Sequence, residues 1–257
     1  MQRFARLKFV FAAVWSMSQP TYAQADTGML SITFDDATRV QFDNGLRIAA
    51  QHGVVGTLFV PTLLVRGGNS GLELSWAMSW DQVRAFHEAG WEIASHAQTH
   101  SRLTTLDPVV VEAELAGSIS DIEEYIGVAP VSFSSPYGDF NEDTIAQIME
   151  HYRAHLSWYG HDGRNPIVGL DPRYIGRLEV TPEMSAAEVC GEIVYAGLNG
   201  IWLVLLFHGI VDGEPAEYEV STDHFSAILA CAAELDHAGL IRIRTVRNAF
   251  SEIENRQ

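Results

Sequence analysis

The chain has 257 residues, 47% of them apolar and 19% charged, a balance that buries a sizeable core and fits one large domain. Its 16 Lys plus Arg stand against 33 Asp plus Glu, a formal charge of −17 that repels phosphate backbones and anionic headgroups. No stretch of ~20 apolar residues exists to span a bilayer, so composition speaks against nucleic acid as a partner and against membrane insertion; it leaves the oligomeric state open.

The first 25 residues carry Arg3, Arg6 and Lys8 and no acid, then an apolar run over 7–17, then the small-x-small pattern Ala23-Gln24-Ala25. That order reads as a signal peptide over 1–25, leaving a mature chain 26–257 in the periplasm or outside the cell. The alternative is a buried N-terminal helix. No Cys directly follows the run, so no lipid anchor is expected.

Beyond it, short apolar runs alternate with amphipathic segments. Strand-like runs fall at 29–34, 55–60, 91–95, 131–133, 153–158, 174–178, 201–207 and 240–244. Helix starts follow most of them. Ser79 stands three residues before Gln82 as a capping box, and Asp107-Pro108 and Thr181-Pro182 each place a cap before a first-turn proline. Gly127 ends the helix begun at Pro108. Helices between successive strands require crossovers, and crossovers give parallel pairing, so a closed or nearly closed β/α barrel is expected. The loops 61–79 and 159–172 are long and contain glycine, which marks them as functional candidates. Cys190 and Cys231 are the only cysteines, each about two turns into a predicted helix beside the strand that ends at His208. Export permits a bridge between them; two buried thiols are the alternative.

Reactive residues recur at one place in the repeating unit. Asp35-Asp36 follow the run ending at Phe34, His96 follows Ser95, Pro136-Tyr137-Gly138 follow Phe133 closely, and His208 follows Phe207. In a β/α barrel all strand C-terminal ends share one face, so these residues converge. An isolated Asp-Asp pair reads as a solvated turn. Next to an apolar strand and in this company, one acid can ligate a cation while the other handles a proton. His96 and His100, four apart, complete a set of two imidazoles and one carboxylate that leaves positions open for water and substrate, which suits catalytic zinc. His208 is either a core histidine or, with Gly209 and the polar stretch 212–221 behind it, a proton donor at a strand end. His87, His151, His155 and His161 lack such placement and read as surface or packing residues.

Four spaced motifs carry a resemblance: Thr33-Phe34-Asp35-Asp36, His96 to His100, Ser134-Ser135-Pro136-Tyr137-Gly138 and Leu205-Leu206-Phe207-His208. Together they resemble the polysaccharide deacetylase family, the family 4 carbohydrate esterases with a NodB-homology domain, over about 29–250. The resemblance implies an α/β fold, a distorted (β/α)7-type barrel, and removal of acetyl groups from sugars. It implies one divalent metal ion, zinc or alternatively cobalt, on Asp36, His96 and His100, with Asp35 as general base toward water and His208 as the acid that protonates the departing amine. The oxyanion is then held by the metal and the backbone N–H of Tyr137, beside Pro136.

Two departures stand out. Family members often carry Arg at the place of Ser134, and often an Asp-Trp pair where this chain has Ser157-Trp158-Tyr159 and, later, Gly176-Arg177-Leu178. Arg177 is the candidate to orient Asp35 in place of the missing Arg; its alternative is a structural salt bridge, for instance with Glu179. Trp76, Trp80, Trp158 and Tyr159 are candidate sugar-stacking surfaces, with a place in the core as the alternative for each and as the favoured reading for Trp80, which stands near a helix start. Segments 133–138 and 216–225 look more like the branch that acts on poly-N-acetylglucosamine. The expected partner is an acetylated glycan, with N-acetylglucosamine units as the leading substrate. An O-acetyl esterase on a xylan-like polymer and a non-catalytic glycan-binding protein are the alternatives.

Overall fold

The apolar runs become the staves of a nearly closed barrel. The computed structural model describes residues 27–158 and 162–256, with residues 157 and 158 described in their main chain only. The expected signal peptide and the stacking roles of Trp158 and Tyr159 lie outside what is described.

At the centre is β1 (Gly28–Phe34), buried at every position, as a parallel strand covered on both faces must be. It pairs in parallel with β2 (Thr57–Val60) on one side and β9 (Ile201–Phe207) on the other. Beyond β2 follow β3 (Glu92–Ser95), β4 (Ser132–Ser134) and β5 (Ala154–Trp158), all parallel. The expected single run over 174–178 is instead two short strands, β7 (Ile175–Gly176) and β8 (Leu178–Glu179), broken at Arg177. β7 pairs with β5 and β8 pairs with β9, so this one segment bridges the two ends of the wall and closes the barrel. β6 (Arg164–Pro166) adds an antiparallel strand to β9, and β12 (Ile241–Ile243) pairs with the first half of β1. A separate small pair, β10 (Gly209–Val211) and β11 (Glu219–Ser221), follows β9.

Helices α1 (Arg47–Gln51), α2 (Trp80–Glu88), α3 (Pro108–Ile126), α4 (Glu142–His151), α5 (Ala186–Asn199), α6 (Thr222–His237) and α7 (Val246–Glu254) accompany the strands. The local signals explain most boundaries. Ser79 and Gln82 form a reciprocal capping box at α2, Asp107 caps α3, and Gly127 ends α3 with φ 84°. Thr181-Pro182 does not start a helix. α5 begins at Ala186, where Ser185 and Glu188 form a reciprocal box that satisfies two otherwise unpaired amides, while Thr-Pro offers only one cap. Cys190 on α5 and Cys231 on α6 are bridged, with Cα atoms 6.0 Å apart. No helix among the described residues is long and apolar enough to cross a membrane.

Under the C-terminal face of the strands, the Phe34 ring meets Phe86, Trp91, Phe207 and Phe225 at centroid distances of 4.8 to 6.3 Å. This aromatic plug fixes the ends of β1 and β9, from which Asp35 and His208 emerge. Trp80 belongs to the core, as its place near a helix start suggests: it is buried and stacks on Tyr125 at 4.4 Å.

Candidate active site

Three turns at the strand ends build the site, and all three are left-handed. Every non-glycine residue with positive φ among the described residues lies in one of them: Asp36 (75°) and Ala37 (50°) after β1, Ala97 (62°) and His100 (58°) after β3, and Tyr137 (59°) after β4. Such conformations cost on the order of 1 kcal/mol or more each and persist only where the surroundings dictate them.

Two buried side chains do so. Gln41 donates from Nε2 to the carbonyls of Asp35 and His208, both at 2.6 Å, while its Oε1 accepts from Thr38 N–H at 2.9 Å. One amide thus holds the first turn and ties the end of β1 to the end of β9. Glu114 on α3 accepts from the N–H groups of Gln98 and Thr99, each at 2.9 Å, and from the Thr99 hydroxyl at 2.6 Å. One helical turn pair further on, Asp121 accepts from Gln98 Nε2 at 2.8 Å. The loop between His96 and His100 is therefore moulded on α3.

With the turns held, Asp36 Oδ1 lies 3.1 Å from His100 Nε2 and 3.5 Å from His96 Nε2. One ligating atom from each of Asp36, His96 and His100 falls within 4.8 Å of the others. His96 Nδ1 is 2.7 Å from the Ser134 carbonyl oxygen, which only accepts, so Nδ1 carries the hydrogen and Nε2 carries a lone pair. That Nε2 is buried and has no hydrogen-bond partner. A buried lone pair aimed at another imidazole and a carboxylate is costly on its own and fits a divalent cation.

Asp35, from the same turn, is fully buried and brings its Oδ2 to 3.7 Å from His96 Nε2. Its Oδ1 accepts from Arg177 Nη1 at 2.8 Å and its Oδ2 from the Ser134 hydroxyl at 3.1 Å, while Arg177 Nη2 donates to that hydroxyl at 2.9 Å. Serine at 134 is small enough to admit the guanidinium that arrives from the break between β7 and β8. Burial works against the carboxylate charge, yet the Arg177 guanidinium, by its charge and its hydrogen bond, holds Asp35 below the ordinary range.

Two residues beyond Arg177, Glu179 sits with Oε1 3.1 Å from His208 Nδ1. Burial opposes charge on the His208 ring, but Glu179 together with Asp35 and Asp36 outweighs it and raises its pKa above the usual histidine value. Pro136 is buried at the start of the third turn, and the half-exposed Tyr137 ring lies 4.6 Å from the His100 ring and 4.3 Å below the Arg102 guanidinium. Asp36, His100, Tyr137, Glu179, His208 and Tyr218 line an open cavity of about 560 Å³. His155 is a packing residue. Its Nδ1 donates to the Arg173 carbonyl at 2.6 Å, its Nε2 accepts from Ser135 at 2.9 Å, and burial pushes its pKa down to about 4.

The face thus brings Asp35, Asp36, His96, His100, Pro136, Tyr137, Arg177 and His208 together. Sequence reasoning missed Gln41, Glu114 and Glu179. Only Glu179 carried a signal: it stands two residues from Arg177 in an extended segment, and so faces the same side.

Comparison with known proteins follows this geometry. The family described as polysaccharide deacetylase matches residues 23–154. Chitin deacetylase 2 of Cryptococcus neoformans var. grubii is 30% identical over 145 residues, 53% of this chain and 30% of that protein. A gellan lyase of a Bacillus species is 31% identical over 127 residues, 49% of this chain and 5% of that protein. The match therefore spans under a third of either relative's own length. The Xyl-CE4 domain of a multidomain xylanase from the hindgut metagenome of Trinervitermes trinervoides shares the fold, with TM-score 0.57 and 18% identity over 88% of this chain and 91% of that one. With the family's pattern running through half of the sequence and its fold through most of the described residues, the chain belongs to the polysaccharide deacetylase family.

Proposed function

We propose that the protein is an exported hydrolase that removes N-acetyl groups from N-acetylglucosamine-containing polysaccharide or oligosaccharide. One observation carries the reading: two proton-handling groups flank the Asp36, His96 and His100 cluster, and each has its own charged partner, Arg177 for Asp35 and Glu179 for His208.

Asp36, His96 and His100 would hold one divalent cation, zinc or cobalt, which when bound supplies Lewis acidity and a lowered water pKa. Asp35 removes a proton from the attacking water, ionised and aimed by Arg177 and Ser134. His208, with Nδ1 held by Glu179, presents Nε2 as the donor to the departing nitrogen. The Tyr137 turn offers its N–H to the developing oxyanion. An amine leaves poorly unless protonated, so an imidazole whose pKa is raised by Glu179, Asp35 and Asp36 suits amide cleavage, where the leaving group needs an acid more than an alkoxide does. The disulfide supports an oxidising compartment and hence export.

Acetate release from chitin-type, 1,6-linked N-acetylglucosamine and acetylated xylan substrates tests this. The expected result is release from the N-acetylated substrates. Release from xylan alone overturns the amide assignment, and no release from any of them overturns the enzymatic one.

A further inference from the structure

One edge of β9 carries two short partners end to end. Residues 201–203 pair with β6 and residues 205–206 with β8, and between them Val204 N–H donates to the Gly163 carbonyl at 3.0 Å. Gly163 has φ 69°, and a Cβ there would stand 2.6 Å from Leu178 N and 2.7 Å from the Val204 carbonyl oxygen, so only glycine lets β6 and β8 meet. β6 belongs to the long segment 159–172 that the sequence marks as a functional candidate.

Beside this junction lies the break in the last stave. A strand that stops at Gly176 cannot continue its ladder with β5, and buried peptide groups are costly to leave unpaired. Asn165 on β6, only 3% exposed, stands in for the ladder. Its Oδ1 accepts from Gly176 N–H at 2.8 Å, and its Nδ2 donates to the carbonyls of Gly176 at 2.9 Å, Gly163 at 3.0 Å and Trp202 at 3.2 Å. Two hydrogens thus serve three carbonyls, and the amide has one workable orientation, because turned over its oxygen would face three others. Both main-chain polar groups of Gly176 bond to this one side chain. Arg177 is the next residue, and its buried guanidinium bonds to Asp35 and to the Ser134 hydroxyl.

We propose that Asn165 is a positioning residue for the general base: by clamping Gly176 it fixes the point at which the last stave breaks, and through that point it aims the Arg177 guanidinium at Asp35. The segment 159–172 then has a role in the reaction without reaching the reacting groups, as the carrier of the clamp. The inference rests on Asp35 acting as the base in the reading above. It adds that the base is set by a chain of contacts from Asn165 to Gly176 to Arg177, in which a small shift at the first member displaces the last.

The test uses the full chain and the variant Asn165→Asp, which keeps the shape of the side chain and sets an oxygen against the three carbonyls. One readout is the nitrogen–proton NMR resonances of the Arg177 guanidinium, assigned by their loss in Arg177→Lys. The other is steady-state kinetics on an N-acetylglucosamine oligosaccharide for Asn165→Asp, Arg177→Lys and the double variant. In Asn165→Asp the Arg177 resonances should shift and exchange faster with solvent, and kcat should fall by about tenfold or more while KM stays within about twofold of wild type. Added to Arg177→Lys, the same substitution should cost no further kcat, because both act on one contact. Unchanged Arg177 resonances overturn the proposal, and so do losses that multiply in the double variant, which mark a general structural role. Should Asn165→Asp not fold, Asn165→Ser, with one donor and one acceptor on a shorter arm, is read in the same way. A wild type that releases no acetate removes the deacetylase reading, and the resonances still decide whether Asn165 aims Arg177.

Discussion

Arg177 Nη1 lies 2.8 Å from Asp35 Oδ1, although 142 positions separate the two residues, and both are shut off from solvent. The guanidinium reaches the carboxylate because the last stave of the barrel breaks between β7 and β8, one half bonded to β5 and the other to β9. A buried ion pair of this kind sets geometry more than it adds stability, and loss of one partner leaves the other charge stranded.

Arg177→Lys keeps the charge but loses the planar fork that serves Asp35 and the Ser134 hydroxyl together. The expected outcome is a loss of roughly 10²-fold in kcat with cooperative unfolding retained. Arg177→Leu should in addition destabilise by about 3 to 5 kcal/mol, because Asp35 is left buried and unpaired. Steady-state kinetics and denaturant unfolding of both variants check this; a lysine variant with undiminished turnover contradicts it.

Glu179 raises the His208 pKa, so its removal lowers it. The group must be protonated to act as an acid, and activity fails on the alkaline side as it deprotonates. Glu179→Gln should therefore move the alkaline limb of the kcat/KM profile to lower pH, with little change on the acid side. A profile that stays in place assigns that limb to another group.

Glu114 never approaches the cluster itself, yet it holds the loop between its two histidines through Gln98 and Thr99. Glu114→Gln should weaken zinc affinity by about 10- to 100-fold, the usual effect of outer supports on metal sites. Competition with a chromogenic chelator reads this without reference to turnover. Unchanged affinity means the loop holds its shape without α3.

These residues also show what the sequence makes legible. The barrel and the convergence of Asp35, Asp36, His96, His100 and His208 follow from apolar runs that each end in a reactive residue, a purely local pattern. Arg177 and Glu179 are harder, because a strand broken after two residues loses its period, and only their two-residue spacing survives. Gln41 and Glu114 are not legible at all: a single polar residue on a helix reads as surface, and only the tertiary fold makes it the partner of a strained turn. Thr181-Pro182 misled for a related reason, since two valid caps stood close together and the reciprocal one at Ser185 prevailed.

His155 supplies a test of stability. Its pKa is about 4 in the folded protein against 6.5 unfolded, so the unfolded chain binds the extra proton between these values. Its contribution is complete above pH 6.5 and is lost as pH falls toward 4, up to about 3 kcal/mol. Relative to His155→Gln, wild type should lose stability across that window in urea unfolding at stepped pH. Parallel curves for the two proteins contradict the assignment.

The bridge between Cys190 and Cys231 closes a loop of 41 positions, which corresponds to about 3 to 4 kcal/mol of stabilisation by restriction of the unfolded chain. Denatured, unreduced protein should titrate no free thiol, and Cys190→Ala with Cys231→Ala should lower stability by about that amount. Two titratable thiols remove the staple.

The most direct measurement of the central claim is acetate release from an N-acetylglucosamine oligosaccharide before chelation, after exhaustive chelation, and after addition of zinc or cobalt. The account predicts activity that disappears with the chelator and returns with either ion in wild type, returns in neither case for Asp36→Ala, and stays absent in Asp35→Asn although that variant still binds the ion. Full activity after exhaustive chelation, or Asp35→Asn that loses the ion, contradicts it.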